Sequence, residues 1–121
     1  MPLTRIEVCQ NRPADEVQYI LQSVYEAQIE AFKVPESDRQ LRYYELLGRH
    51  FFIPPGRTDN FTLVSVDMFP GRTAEAKKAF YSSVVRRLEK IGIAPSDVFI
   101  NLVESARENW SMRDGISAAD A

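Results

Sequence analysis

The 121-residue sequence predicts an α/β (α+β) fold, in which a tandem βαβ repeat forms a four-stranded sheet with two helices on one face. Three observations predict this fold. A shift of 60 positions aligns LTRIEVCQNR (residues 3–12) with LVSVDMFPGR (residues 63–72) without a gap. Each of these segments opens with the two-residue alternation that is typical of a strand. Each is followed by apolar residues at helical spacing.

The first repeat begins with a predicted strand and a predicted helix. Ile6 and Val8 share one face of the stretch TRIEV, whose charged residues take the other face. From Pro13 to Phe32 the apolar side chains form a helical stripe. Proline suits the first turn of a helix, because its missing N–H would have no partner there. The polar and aromatic stretch RQLRYYEL then predicts the second strand.

The second repeat has the same order of elements. Val64 and Val66 alternate with polar residues in a predicted strand. The second helix is predicted from Thr73 to about Ile91, with Thr73 as its N-cap and Gly92 closing its end in a left-handed conformation. The run DVFINLVE is almost continuously apolar, which predicts a strand buried on both faces.

We interpret residues 1–121 as a single domain with two pseudo-repeats, at about 2–50 and 61–110. The stretch GRHFFIPPGRTDN, with its adjacent prolines, is predicted to be the loop between them. Strands within each βαβ unit are expected to pair in parallel. Two helices on one face leave the other face of the sheet uncovered, so we expect oligomerisation to cover it.

The composition argues against several function classes. The formal net charge is −2, which gives no general attraction to nucleic acid or to an anionic membrane. The apolar stretches are too short to span a bilayer, and charges near the start argue against a signal peptide. Cys9 is the one cysteine, which predicts no internal disulfide and a cytoplasmic location. With one histidine, His50, the chain has too few ligands for a zinc site.

Four stretches resemble, in order, the tautomerase superfamily and most closely its malonate semialdehyde decarboxylase-like branch. They are MPLTRIEV, VPESDR, FPGRTAEAKKAFY and ENWSMRDG. The resemblance implies a homotrimer whose active sites lie at amino-terminal prolines. It also implies a small 2-oxo acid or its enol as substrate, with no metal and no organic cofactor.

The resemblance implies that Pro2 is the catalytic acid/base. A small residue after the first methionine favours removal of that methionine, which would leave Pro2 with a free secondary amine. An α-amino group has a pKa of about 7.7–8.0 in peptides, and burial beside a cation lowers it. A base whose pKa lies near the ambient pH is best placed to move a proton between carbon and oxygen. The alternative is a proline that is merely tolerated at the start of the chain.

Two arginines are candidates for binding an anionic substrate. Arg12 and Arg72 occupy equivalent turns of the two repeats, each before a helix N-terminus that favours anions. A guanidinium can hold a carboxylate and stabilise an enolate oxygen. Arg12 resembles the carboxylate-binding arginine of oxalocrotonate-type tautomerases, and Arg72 resembles a catalytic arginine of the decarboxylase-like branch. Each is alternatively a solvated arginine in a turn.

Five further residues are candidates for the site. Asp38 matches the catalytic acidic residue of the branch, although an aspartate in such a turn also commonly caps backbone N–H groups. Phe51, Trp110 and Met112 are predicted to form walls of the substrate pocket or of a subunit interface, and the alternative is plain packing in the core. The branch has two arginines flanking a proline where this chain has MFPGR. We expect Arg113 to supply the missing charge from the tail.

Three functions remain open from the sequence. The first is an isomerase, a cofactor-independent keto–enol tautomerase for a small 2-oxo acid such as phenylpyruvate. The second is a lyase, a malonate semialdehyde-type decarboxylase or hydratase that uses Asp38 and Arg72. The third is a non-catalytic oligomeric binding protein that has kept the scaffold.

Overall fold

The computed structural model describes residues 2–121, which form four strands and two α-helices. The strands are β1 (Leu3–Val8), β2 (Leu41–Glu45), β3 (Thr62–Met68) and β4 (Val98–Glu104), and the helices are α1 (Ala14–Phe32) and α2 (Ala74–Glu89). Single 3₁₀ turns lie at Gly48–His50, Pro95–Asp97 and Arg107–Asn109. The predicted order of two βαβ units is therefore confirmed.

The strand order in the sheet is β2-β1-β3-β4. Within each unit the strands pair in parallel, β1 with β2 and β3 with β4, as predicted. The two units join through an antiparallel pairing of β1 with β3 at the centre. Because β3 and β4 run antiparallel to β1 and β2, the segments that follow β3 and β4 lie at the same edge of the sheet as the segments that precede β1 and β2.

The core lies between the helices and one face of the sheet. Alternate residues of β1 and β3 face it, as the two-residue period predicts, and the helices supply the predicted apolar stripe. The fully buried members include Ile6, Val8, Val64, Val66, Ile20, Val24, Phe80, Val84 and Leu88. Burying each such side chain contributes about 1.5–3 kcal/mol before the loss of chain entropy is counted.

The helix ends follow local chemistry. Thr73 accepts a hydrogen bond from the N–H of Ala76 (3.1 Å), so the predicted N-cap of α2 is confirmed. The helix ends at Glu89, two residues earlier than predicted, and Gly92 adopts a φ of 90° beyond it. Neither helix of residues 2–121 combines the length and the hydrophobicity that crossing a membrane requires.

The prediction that β4 is buried on both faces is wrong for the single chain. Its burial alternates, and Phe99 and Val103 are each 47% exposed on the face that turns away from the helices. The reason is that β4 is an edge strand and the helices cover only one face of the sheet. The apolar residues of its second face therefore lie on the uncovered surface that the sequence analysis expects an oligomer to bury.

Candidate active site

The segments that precede β1 and β2 meet at one edge of the sheet, which we call the Pro2 end. The backbone N–H of Thr4 donates to the carbonyl of Gln40 (2.9 Å) and ties the start of β2 to β1. Because the two strands are parallel, the residues before both of them lie at this end. The predicted catalytic residues Pro2 and Asp38 are thereby brought to the same edge.

The segments that follow β3 and β4 reach the same end. Leu3 pairs with Asp67 in the antiparallel register, so β3 ends beside Pro2, with the two strands about 5 Å apart. The N–H of Ser105 donates to the carbonyl of Met68 (2.9 Å), which fixes the segment after β4 there. These segments carry four more of the predicted site residues, namely Arg72, Trp110, Met112 and Arg113.

Pro2 is buried directly before β1. Two residues further on, the hydroxyl of Thr4 donates a hydrogen bond to Oε1 of Gln28 on α1. Both of these side chains are fully buried. The start of β1, and with it the backbone that carries Pro2, is therefore fixed against the helix layer by a buried polar pair.

A pocket of about 260 Å³ opens next to Pro2. It is lined by Leu3, Gln40, Trp110, Ser111 and Met112. The indole Nε1 of Trp110 donates to the carbonyl of Ser105 (3.2 Å), which fixes the ring as a wall of the pocket. The volume lies below the range of about 300–1,000 Å³ that is typical of drug-sized ligands, so the pocket is suited to a small ligand.

Asp38 lies in the turn that leads into β2. Its backbone N–H donates to the carbonyl of Pro35 (2.9 Å), and its side chain is half-buried. Within residues 2–121, the carboxylate has no hydrogen-bond donor and no cation within 4 Å. Asp38 is therefore not the backbone cap that the alternative interpretation describes, and its oxygens are free to act on a ligand.

Arg72 lies in the turn between β3 and α2. Gly71 adopts a φ of 119°, which a side chain would strain, and this permits the turn. The guanidinium carbon of Arg72 lies 5.6 Å from the ring centroid of Phe32, at the end of α1. The side chain is half-buried and held by a cation–π contact, which leaves the edge of the guanidinium for an anion.

Arg12 and Phe51 lie at the opposite end of the sheet from Pro2. Arg12 is nine-tenths buried and donates to the hydroxyl of Tyr43 (3.2 Å) and to Oδ1 of Asn60 (3.1 Å). Phe51 packs edge-on against Phe61, with the ring centroids 5.9 Å apart. The length of β1, roughly 20 Å, separates this end from Pro2. A single chain therefore does not bring these two residues to the pocket.

The structure also places a residue at the Pro2 end that the sequence analysis missed. The guanidinium carbon of Arg107 lies 4.4 Å from the ring centroid of Phe69, the residue after β3. Trp110 meets the same ring edge-on at 5.4 Å. An arginine in a short polar segment carries no periodic signal, and only the folding of this segment back onto β3 reveals its place.

Within residues 2–121, the charged candidate residues at the Pro2 end take part in no ion pair. Among residues 2–121, the ion pairs are Arg5–Asp67, Lys77–Glu104, Arg86–Glu30 and the pairs of Arg87 with Glu26 and Glu30. None of them involves Arg72, Arg107 or Asp38. The same part of the chain contains no group of three or more His, Cys, Asp or Glu residues arranged to hold a metal ion.

Comparison with known proteins gives consistent results. A family model described as "Tautomerase enzyme" matches residues 38–113. The chain is 31% identical to "Probable tautomerase YusQ" of Bacillus subtilis (strain 168) over 121 residues, which cover 95% of each chain.

Solved structures show the same fold. The FG41 malonate semialdehyde decarboxylase inhibited by 3-bromopropiolate superposes with a TM-score of 0.86 and 29% identity, over 96% of this chain and 92% of that one. The R7 fused 4-OT asymmetric trimer superposes with a TM-score of 0.86 and 12% identity, over 98% and 97% of the two chains. At 12% identity, the second likeness concerns the fold alone.

Proposed function

This chain belongs to the tautomerase family, and on that premise we propose that it catalyses the keto–enol tautomerisation of a small 2-oxo acid, with Pro2 as the acid/base. Pro2 and the turns that carry Asp38 and Arg72 lie at the same edge of the sheet, and this is the observation that best supports the proposal. Fold likeness alone would not support it, because unrelated functions share folds.

The proposed reaction moves one proton. For a keto substrate, the free amine of Pro2 takes a proton from C3, and the electron pair of that C–H bond forms the C2–C3 double bond. The C2 carbonyl becomes an enolate oxygen, and the protonated amine of Pro2 then gives the same proton to this oxygen, which forms the enol and restores the free amine. Ketonisation runs the same steps in reverse, with protonated Pro2 delivering the proton to C3.

Arg72 and Asp38 are assigned complementary roles. The negative charge that develops on the C2 oxygen is stabilised by a preorganised cation, and Arg72 is half-buried with its guanidinium edge free. Asp38 is a half-buried carboxylate without a partner in residues 2–121, so it can position water or accept a hydrogen bond from the enol. Trp110 and Met112 are proposed as walls that contact the substrate, and Arg113 as a further cation from the tail.

We further propose a homotrimer in which one chain supplies Pro2 and a neighbour supplies Arg12 and Phe51. Within one chain, the strand β1 separates these residues from Pro2. The uncovered face of the sheet, with the exposed apolar residues Phe99 and Val103, provides a surface for assembly. The fused 4-OT structure, itself a trimer, shows that chains of this fold can assemble in threes.

A second candidate reaction is decarboxylation or hydration of malonate semialdehyde or a similar three-carbon acid. It is favoured by the 29% identity to the FG41 malonate semialdehyde decarboxylase over nearly the whole chain, together with the unpartnered Asp38 carboxylate. Release of carbon dioxide and acetaldehyde from malonate semialdehyde would distinguish this reaction from tautomerisation.

The test is the ketonisation of phenylenolpyruvate, followed by the loss of its ultraviolet absorbance, in the wild type and in Pro2→Ala. We expect the wild type to accelerate ketonisation and Pro2→Ala to lose most of that acceleration. Intact-mass measurement must accompany the assay, because Pro2 is a base only when Met1, which lies outside the described residues, has been removed. Lack of turnover of this enol and of malonate semialdehyde by the Met1-free wild type would favour a non-catalytic binding protein.

A further inference from the structure

The segment after β4 is fastened to the Pro2 end by a set of hydrogen bonds. Ser105 binds β3 through its backbone N–H, and its carbonyl accepts from the indole of Trp110. The side-chain amide of Asn109 donates to the hydroxyl of Ser105 (3.0 Å), and the N–H of Trp110 donates to the carbonyl of Arg107 (3.1 Å). The backbone of Arg107 is therefore held in place beside the pocket wall.

The side chain of Arg107 is supported by an aromatic ring. Arg107 is exposed, and its guanidinium carbon lies over the ring of Phe69, which is buried outside the main hydrophobic core. A guanidinium stacked on a ring uses its face for the contact, so its N–H donors remain free at its edge. Such an arrangement orients the N–H groups at the edge of the guanidinium for two parallel hydrogen bonds to a carboxylate.

Arg107 has no anion of its own within residues 2–121. No carboxylate oxygen there lies within 4 Å of it, and its guanidinium makes no hydrogen bond to these residues. Arg113, the cation expected from the sequence, lines a neighbouring cavity of about 270 Å³ together with Ile116, Ala118 and Asp120, and Met112 lines both cavities. Trp110, in contrast, joins the ring under Arg107 to the pocket beside Pro2.

We propose that Arg107 binds the carboxylate of the substrate at the Pro2 pocket and so makes the enzyme selective for 2-oxo acids over their esters. The inference rests on the proposed function for the identity of the substrate. Arg72, which contacts the ring of Phe32, then stabilises charge on the C2 oxygen of the substrate. Arg107, which contacts the ring of Phe69, binds the carboxylate of the substrate. Both arginines are stacked on rings and unpaired in residues 2–121.

The experiment measures binding separately from turnover. Trp110 is the single tryptophan of the chain and lines the pocket, so its fluorescence reports occupancy. The probe is benzoylformate, a 2-oxo acid with no proton to lose on its neighbouring carbon, compared with its methyl ester. We expect Arg107→Gln to weaken benzoylformate binding by roughly ten- to a hundredfold and to leave binding of the ester unchanged. Arg107→Lys should recover part of the lost binding, because lysine restores the positive charge but lacks the two parallel N–H donors of a guanidinium.

Two controls make the result decisive. Arg86→Gln removes an arginine on the exposed side of α2 and should bind benzoylformate like the wild type. Pro2→Ala should also retain binding, so a protein that turns over no enol still tests this inference. Unchanged benzoylformate binding in Arg107→Gln would overturn the inference. Equal loss of acid and ester would do the same, since it would mean that Arg107 only supports the fold of the pocket. A selective loss in Arg113→Gln alone would assign the carboxylate to the tail instead.

Discussion

Pro2 and Arg12 lie at opposite ends of strand β1, one directly before it and the other four residues after it. Arg12 is nine-tenths buried, and its hydrogen-bond partners within residues 2–121 are the neutral side chains of Tyr43 and Asn60. No carboxylate in this part of the chain neutralises its charge. Removing a charge from water is costly unless it is compensated, which favours an anion being bound there. If that anion is the substrate held by Pro2, then Pro2 must come from another chain.

The first prediction is complementation between inactive chains. Pro2→Ala and Arg12→Gln should each be inactive as a homo-oligomer, because each lacks one half of every site. Co-expression in equal amounts should restore about a quarter of wild-type activity, since that share of sites in a random ring combines the intact half of each chain. The measurement is phenylenolpyruvate ketonisation by the co-purified mixture. No recovery, with both single variants folded, would mean that the two residues do not share a site.

The second prediction concerns the uncovered sheet face. Phe99→Asp should dissociate the trimer, because it places a charge in the apolar surface that assembly buries. The measurement is molar mass by light scattering during size-exclusion chromatography. Tyr81→Asp is the matched control, since this exposed aromatic lies on α2 and away from the sheet face. A Phe99→Asp protein with the mass of the wild type would show that the face is not the interface.

The fold could be predicted from the sequence because local sequence patterns and tertiary packing agree. Ile6 and Val64 follow the strand period and are fully buried, and Thr73 makes the cap that its position predicts. The error at β4 arose because an apolar run does not distinguish burial within a chain from burial between chains. Phe99 and Val103 are apolar, yet each remains 47% exposed within residues 2–121.

Only part of the candidate site could be predicted from the sequence. Asp38 and Arg72, which the resemblance names as catalytic candidates, lie at the Pro2 end, because parallel strands within a βαβ unit fix which turns share an edge. Because Arg12 follows β1 and Pro2 precedes it, Arg12 lies at the opposite end of this strand from Pro2, which a motif alone does not reveal. Arg107 was missed because its position depends on a hydrogen bond between Ser105 and Met68, a contact that has no sequence signature.

The third prediction concerns the ion-pair network between the helices. Arg87 donates to Glu26 (2.6 Å) and to Glu30 (3.2 Å), across the contact of α2 with α1. Desolvation alone would raise the pKa of Glu30, but hydrogen bonds with Ser83 and Arg87 and the charges of Arg87 and Arg86 outweigh it and lower the pKa. A lowered folded-state pKa stabilises the protein above the unfolded-state pKa, and this stabilisation is lost as the pH falls through the folded value.

Arg87→Gln should therefore lower stability at pH 7 by about 0.5–1 kcal/mol, because the pairs are partly exposed. The difference from the wild type should shrink as the pH falls through the lowered pKa of Glu30, because its carboxylate then becomes protonated in both proteins. Urea denaturation at pH 7 and pH 3.5 provides the measurement, at one fixed protein concentration. Lys78→Gln, on the exposed side of α2, is the control for lost charge. A deficit that is equal at both pH values would contradict the assignment to Glu30.

The last prediction concerns the buried pair that anchors the start of β1. Thr4 and Gln28 are fully buried, and Nε2 of Gln28 has no partner within residues 2–121. Thr4→Val leaves the Gln28 amide without its hydrogen bond, and Gln28→Met leaves the Thr4 hydroxyl alone. Each should lower the free energy of unfolding by about 1–3 kcal/mol, because an unpaired buried polar group keeps its desolvation cost.

The double variant Thr4→Val/Gln28→Met should be nearly as stable as the wild type, because it removes both polar groups and keeps the apolar volume. Urea denaturation of the four proteins gives the coupling energy directly. Ser65→Ala, which removes an exposed hydroxyl bonded to Asn101, should change stability by less than about 0.5 kcal/mol and serves as the control. Additive losses in the double variant would mean that the two side chains stabilise β1 independently. Strong coupling would mean that the backbone before Thr4, which carries Pro2, is held by this pair as a unit.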